Sequence, residues 1–136
     1  MENISKHITF IEATQSPTAA KLGINNNPDK TQLEAMKLVA EKCFEPLRQW
    51  YGKPIKVNSF FRSDLLNRAV KGSLTSQHKK GEAIDLDAGS KEENKKLFEY
   101  IKNHLEFDQL LNEYNYSWVH VSYSKTKNRK QILIIK

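Results

Sequence analysis

An α+β fold, with a small antiparallel or mixed sheet and helices packed to one side, is what the sequence predicts, and three observations predict it. A long segment from Thr31 to about Trp50 carries helical periodicity, and a second helical segment follows Ser90. Short apolar segments with β-branched and aromatic residues recur around them: IKVNSFF, AIDLD, FDQLL, WVHVSY and the terminal QILIIK. The chain has 136 residues, 38% of them hydrophobic, with six Phe, five Tyr and two Trp, enough for one domain spanning residues 1–136 to bury a real core.

The elements follow in order. After Ile8, Phe10 and Ile11, Ser16 before Pro17 reads as an N-cap with proline at the first helical position, and Gly23 closes a short helix. Asn25 to Asp29 reads as a turn. In the long helix Leu33, Met36, Ala40, Cys43, Leu47 and Trp50 are spaced 3, 4, 3, 4 and 3, with Thr31 or Asp29 near its cap and Pro46 placed to bend or end it early. Gly52 and Pro54 separate it from the strand IKVNSFF, and Ser63 or Asp64 can cap a short helix through Leu65, Leu66, Ala69 and Val70. Residues 71–82 read as a polar loop, AIDLD as a strand, and Ser90 as the cap of a helix with Leu97, Phe98 and Ile101. FDQLL and WVHVSY are strand candidates, and QILIIK, almost without alternation, is expected to lie largely buried within the sheet.

Composition bounds the function. No run of about 18 apolar residues exists, so no membrane insertion is expected. The start MENISKHITFIEATQS lacks the pattern of a secretory signal, so synthesis is expected to end in the cytosol. The one cysteine, Cys43, falls among apolar helix positions and reads as packing. Twenty-two Lys and Arg against sixteen Asp and Glu give a formal charge of +6, and Lys125 to Lys136 holds five basic residues and no acidic one. That tail favours encounter with polyanions or serves only as a solvated face; no specific nucleic-acid partner is expected. Neither a Gly-x-Gly-x-x-Gly nor a Walker loop is present.

The period of two supplies the chemistry. Within 83–87 it sends Ile84 and Leu86 to one face and Asp85 and Asp87 to the other; within 118–122 it separates Val119 and Val121 from Trp118, His120 and Ser122. If the strands are neighbours, Asp85 and His120 converge, and His78 can bend over the same spot from its loop. Two imidazoles and a carboxylate suit zinc with a fourth position left open, where water is activated and a carbonyl polarised. Asp87 could instead cap the next helix or hydrogen-bond to a ligand histidine. His7 and His104 have no such context. A nucleophilic use of Ser76 with His78 and Asp85 is disfavoured because no strand-to-helix nucleophile elbow surrounds Ser76.

The blocks Ser76, His78, Gly81, Ala83, Asp85 and Trp118, His120 resemble the Ser-x-His-x-x-Gly-x-Ala-x-Asp and Trp-x-His signature of the zinc D-alanyl-D-alanine carboxypeptidase family, which includes phage and prophage L-alanyl-D-glutamate endopeptidases. TAAKLGINNNPD is similar to the N-terminal part of the phage branch, so the resemblance covers roughly residues 8–123. It implies the hedgehog-like fold of these enzymes, one Zn2+ ion on His78, Asp85 and His120, and hydrolysis of a bond in peptidoglycan stem peptides. It also implies a role for Arg62 in binding a substrate carboxylate or steadying an oxyanion. The family's general base often lies shortly before the last histidine ligand; three positions before it stands Ser117, which cannot serve, and the nearest carboxylate is Glu113, with Asp108 a poorer candidate. Glu113 can act if the loop of residues 114–117 folds it back onto the site; otherwise the protein is a slow or inactive member. Ser76 is expected to bond within its loop or to substrate, and Trp118 to form a cleft wall or to pack beneath the loop. Tyr114, Tyr116, Trp118 and Tyr123 could together line a groove for a muropeptide. A monomer released to the wall as phage lysis enzymes are is the expectation, against a non-catalytic zinc-binding or wall-binding virion module and a nucleic-acid-binding protein.

Overall fold

Side-chain caps set the first third of the chain in the computed structural model, which describes residues 3–136. Thr9 caps α1 (Phe10–Thr14) in a reciprocal box with Glu12, and Ser16 caps α2 (Pro17–Leu22), which ends on Gly23 at φ 67°. Asp29, rather than Thr31, caps α3 (Lys30–Val39), in a second box with Gln32.

The long helix is not continuous. A π-helical turn, Ala40–Phe44, joins α3 to α4 (Glu45–Tyr51). Pro46 lacks an N–H and its ring would collide with the carbonyl one turn earlier, so the wider turn absorbs a defect that a straight α-helix could not. The insertion keeps Met36, Ala40, Cys43 and Leu47 fully buried and brings Val39 and Phe44 in with them, while Trp50 is left half-exposed, stacked on Tyr100 at 4.3 Å. Cys43 is a core side chain, and burial pushes its thiol up to about 12.

The strands are β1 (Lys56–Ser59), β2 (Ala83–Asp87), β3 (Gln109–Glu113), β4 (Trp118–Ser122) and β5 (Gln131–Ile135), in the order β1-β2-β4-β3-β5. All neighbours are antiparallel except β3 and β5, so the sheet is mixed. Ser63 caps the short α5 (Asp64–Ala69), and Ser90 caps α6 (Lys91–His104). Helices α3, α4 and α6 bury Met36, Leu47, Leu97 and Ile101 in the same cluster as Ile84, Leu86, Leu110, Val119 and Val121 of the sheet. The opposite sheet face is free for the polar residues that alternate with these.

Three expectations change. Loop 71–82 contains a 3₁₀ turn, Gln77–Lys80. The strand expected over FDQLL begins only at Gln109, because Phe107 drops into the core and Asp108 turns to meet Arg129. The terminal QILIIK does form a strand, β5, but it is not buried: Ile132 and Leu133 are over a third exposed and Ile134 is 65% exposed. It joins as the edge strand beyond β3, and an apolar run therefore reports strand propensity here rather than cover on both faces.

Candidate metal centre and active-site cleft

Asp85 and His120 are brought together by strand register. They are direct partners across the β2–β4 pair, on the face opposite Ile84, Leu86, Val119 and Val121, and Asp85 Oδ1 lies 2.9 Å from His120 Nδ1. His78 enters from the 3₁₀ turn, 2% exposed, and its Nδ1 lies 2.7 Å from the carbonyl of Phe60. A carbonyl can only accept, so Nδ1 carries a proton, and in the neutral ring that a metal ligand requires Nε2 offers its lone pair. That lone pair faces Asp85 Oδ2 at 3.3 Å. Two acceptors aimed at one another call for a cation between them, and the ligand atoms of His78, Asp85 and His120 all lie within 4.8 Å of one another. Among the described residues this is the one group of such side chains placed to hold a metal ion, and a His, His, Asp donor set fits zinc. Burial raises the carboxyl of Asp85, but positive charge on His78 and His120 and hydrogen bonds from them, which a bound cation would replace, outweigh it and hold the group below the usual carboxylate range.

The turn between His78 and Asp85 depends on Gly81. Its φ is 74°, and a Cβ there would stand 2.6 Å from the carbonyl oxygen of Gln32. Arg62 is tied to the same turn, its backbone N–H donating to the carbonyl of His78 at 3.1 Å. Asn26, buried, holds the neighbouring chain by donating to the carbonyls of Thr14 and Phe61 and accepting from the Ser63 N–H. Arg62 Nη2 donates to Ser76 Oγ at 3.2 Å, while Arg62 Nε is buried without a partner. Burial lowers the pKa of the guanidinium, and the charges of Asp85 and Glu113 oppose that shift. Ser76 Oγ also accepts from the backbone N–H of His78 at 3.2 Å. Both ring nitrogens of His78 face Phe60 and Asp85, so no serine-to-imidazole relay forms here.

Glu113 arrives on a strand. It pairs with Trp118 across β3 and β4, and Gln109, Leu111 and Glu113 alternate away from buried Leu110 and Asn112 toward the cleft. Trp118 Nε1 donates to Glu113 Oε2 at 2.8 Å. The fold-back expected of residues 114–117 is not what delivers Glu113; the hairpin register does. The turn itself puts Tyr114, Asn115 and Tyr116 at φ 51°, 55° and 60°. Asn112 Oδ1 accepts from the Tyr116 N–H at 2.6 Å, and buried Asn94 donates to the carbonyls of Tyr116 and Ser117, which offset the cost of that backbone.

His78, Asp85, His120, Arg62, Ser76, Glu113 and Trp118 all line one cavity of about 750 Å³. The expected aromatic groove is not assembled. Trp118 lines the cavity and Tyr114 packs beside it at 5.2 Å, but Tyr116 and Tyr123 pack against the core. Asp87 accepts from the Gly89 N–H and from Asn94, fixing the turn that precedes α6, and does not reach a ligand histidine. Asp108 is clamped by Arg129, whose hydrogen bonds hold its carboxyl at about 2, and so cannot serve as a base. His7 pairs with Glu45 and His104 packs on Tyr100, both away from the cluster. The carbonyl of Phe60, Asn26, Asn94, Gln77 and Arg129 escape a reading of the sequence, since asparagines in a polar loop or a lone basic residue give no pattern to detect.

A two-histidine, one-carboxylate donor set in a cleft that a further carboxylate, Glu113, also lines is the site of a zinc metallopeptidase. The chain belongs to the peptidase M15 family, which matches residues 6–122; this is the zinc D-Ala-D-Ala carboxypeptidase family, and the protein is a zinc-dependent hydrolase of peptidoglycan peptides. No curated protein matches it. Among the described residues no helix is long and apolar enough to cross a membrane.

Proposed function

We propose that the chain is a single-domain, monomeric peptidase in which His78, Asp85 and His120 hold one zinc ion, Glu113 is the general base, and Arg62 with Ser76 binds substrate. The observation that carries this reading is the pair of facing acceptors, His78 Nε2 and Asp85 Oδ2, in the cavity that Glu113 also lines. When bound, zinc with three protein ligands keeps a position open for water or a carbonyl oxygen and withdraws charge from it.

The residues do the rest. Glu113 takes the proton of the attacking water on the carboxylate oxygen that Trp118 leaves unengaged, and returns it to the leaving amine as the peptide bond breaks. Arg62, which lines the cavity and is steadied through Nη2 by Ser76, offers its guanidinium to a substrate carboxylate or to the oxyanion that develops on the scissile carbonyl. Trp118 holds Glu113 and walls one side of the cleft.

Zinc content and muropeptide mass spectrometry test this together. His78→Ala, Asp85→Ala and His120→Ala are expected to lose zinc and all release of wall peptides; the parent, loaded with zinc, is expected to cleave one kind of stem-peptide bond. Bound zinc without release from any wall type would make the chain a binding module instead. We place the chain in the cytosol at synthesis, with phage-type release to the wall; lysis of a bacterial host only when a membrane-permeabilising protein is co-expressed would support that route.

A further inference from the structure

One aromatic side chain stands where the helical pattern does not put it. Trp50 falls on the apolar seam of the long helix, yet near the end of α4 it is 48% exposed. A π turn, a feature frequent at functional sites, precedes that helix. The Trp50 ring stacks on Tyr100 with centroids 4.3 Å apart and planes 20° apart. Tyr100 lies in turn 4.6 Å from the ring of His104, one turn further along α6. Two helices thus contribute three rings to one aromatic strip.

The strip borders a groove of about 560 Å³, lined otherwise by Glu92, Lys95, Lys96, Glu99 and Asn103. These positions recur at each turn of α6, so they share a face that runs about 18 Å from residue 92 to residue 104. Leu97, Phe98 and Ile101 point the other way, into the core. The metal centre lies on the far face of the sheet beneath that core, and the groove shares no lining residue with its cleft.

The rim is polar and holds no excess of positive charge. Glu92 and Glu99 accompany Lys95 and Lys96, and the ammonium of Lys96 is already paired with Glu93 at 2.6 Å. The side chains of Glu92, Lys95, Glu99 and Asn103 make no ion pair or hydrogen bond among the described residues. An apolar helix laid here would strip water from those groups and offer nothing in return. A polyanion would meet the two carboxylates as well as the ammonium groups. A pyranose ring suits both parts of the groove. One face presents C–H groups that pack on an aromatic ring, and its edge carries hydroxyls that donate to carboxylates and accept from ammonium and amide groups.

We propose that Trp50, Tyr100 and His104 form a platform for a neutral, linear polysaccharide, on the back of the molecule from the catalytic cleft. Glu92, Glu99, Lys95 and Asn103 hydrogen-bond its hydroxyl or acetamido groups. The site goes beyond the peptide-hydrolase reading. Stem peptides hang from glycan strands, and a platform on the back holds one strand while the cleft works on the peptides of another.

The probe is a fluorescent β-linked N-acetylglucosamine oligomer, titrated into the full chain by anisotropy at low and high salt. The parent is expected to bind it with an affinity that salt changes by no more than about twofold, because the ligand is uncharged. Trp50→Ala weakens binding about tenfold, and Trp50→Phe keeps most of it. His104 is exposed and outside the core cluster, so His104→Ala keeps the fold and costs about threefold. Trp118→Phe, in the cleft, leaves oligomer binding unchanged. A parent that does not bind, binding that survives both Trp50→Ala and His104→Ala, or binding lost in Trp118→Phe overturns the platform. Self-association abolished by Trp50→Ala, without saccharide binding, makes the strip an interface between copies and overturns it as well. Trp50→Ala is expected to cleave a soluble stem peptide at the parental rate and whole walls several-fold more slowly; equal rates on walls overturn the anchoring role. Absence of turnover with oligomer binding intact overturns the hydrolase reading and leaves the platform standing.

Discussion

Trp118→Phe is the substitution that most directly tests how the carboxylate of the cleft is held. The indole N–H donates to Glu113 Oε2 at 2.8 Å, a hydrogen bond to a charged acceptor. Such bonds contribute about 1.5–3 kcal/mol, and about 1.4 kcal/mol is tenfold in rate. If Glu113 needs that bond to stand at the water it deprotonates, kcat is expected to fall roughly 10- to 100-fold. Phenylalanine keeps an aromatic ring beside Tyr114, whose centroid lies 5.2 Å from that of Trp118, so the stability lost should not exceed the roughly 1.5–3 kcal/mol of that one hydrogen bond. Zinc content should not change, because Asp85 and His120 are placed by strand register and not by Trp118.

Steady-state kinetics on a stem peptide, with zinc measured on the same samples, checks each part. Glu113→Gln is expected to keep zinc and lose about 10²- to 10⁴-fold in kcat. The double variant should lose no more than Glu113→Gln alone, since Trp118 acts through the carboxylate. A Trp118→Phe protein with parental kcat and raised KM would make the tryptophan a substrate wall only. A Glu113→Gln protein at the parental rate would remove Glu113 as base.

Two further outcomes follow from the surroundings of the metal site. Gly81→Ala forces a left-handed alanine and sets its Cβ 2.6 Å from the carbonyl oxygen of Gln32, so urea unfolding should show a loss of about 3 kcal/mol, with weaker zinc retention because the turn carries His78. Asp108→Asn removes a carboxyl that hydrogen bonds from Arg129 hold at about 2, below its unfolded value near 3.9. A depressed folded pKa stabilises in full above the unfolded value and the benefit is lost as pH falls through about 2. The variant should therefore be less stable by about 1 kcal/mol at pH 7, after allowance for the exposure of Arg129, and the gap between the two urea midpoints should close between about pH 4 and pH 2.

What the sequence made legible is what periodicity and local chemistry encode. Alternation in AIDLD and WVHVS separated Ile84, Leu86, Val119 and Val121 from Asp85 and His120, and the register then placed those two side by side. Ser16, Ser63 and Ser90 were readable as caps because the cap hydrogen bond is local. Pro46 announced a break, but whether it would end the helix or be absorbed in a π turn depends on what packs around Cys43 and Phe44, which lies far away in the chain. The terminal strand misled for the same reason: apolarity in residues 132–135 says nothing about whether another layer covers them. The partners of Glu113 and His78 were hidden because Trp118 reaches the carboxylate by hairpin register, and the acceptor for His78 is a main-chain carbonyl that no residue name reveals.

The way the three ligands are held bears on how metal and folding are coupled. His78 is oriented by the carbonyl of Phe60, Asp85 and His120 are fixed by a strand pair, and Gly81 shapes the turn between the first two. Each of these constraints is made by the chain's own groups, and so is the core that supports them, including Ile84, Leu86, Val119 and Val121. Small zinc modules are unfolded without metal because nothing else organises their ligands; here the Phe60 carbonyl and the strand register are expected to organise the donor set before an ion binds. Metal should then act by mass action, adding about 2.7 kcal/mol at a hundredfold excess over Kd, or several degrees in Tm for a chain of this size. Chelation is expected to lower Tm by that amount while leaving the far-UV spectrum and a single cooperative transition. A chelated protein that has lost its secondary structure would show that the ion, and not the strand register, assembles the site.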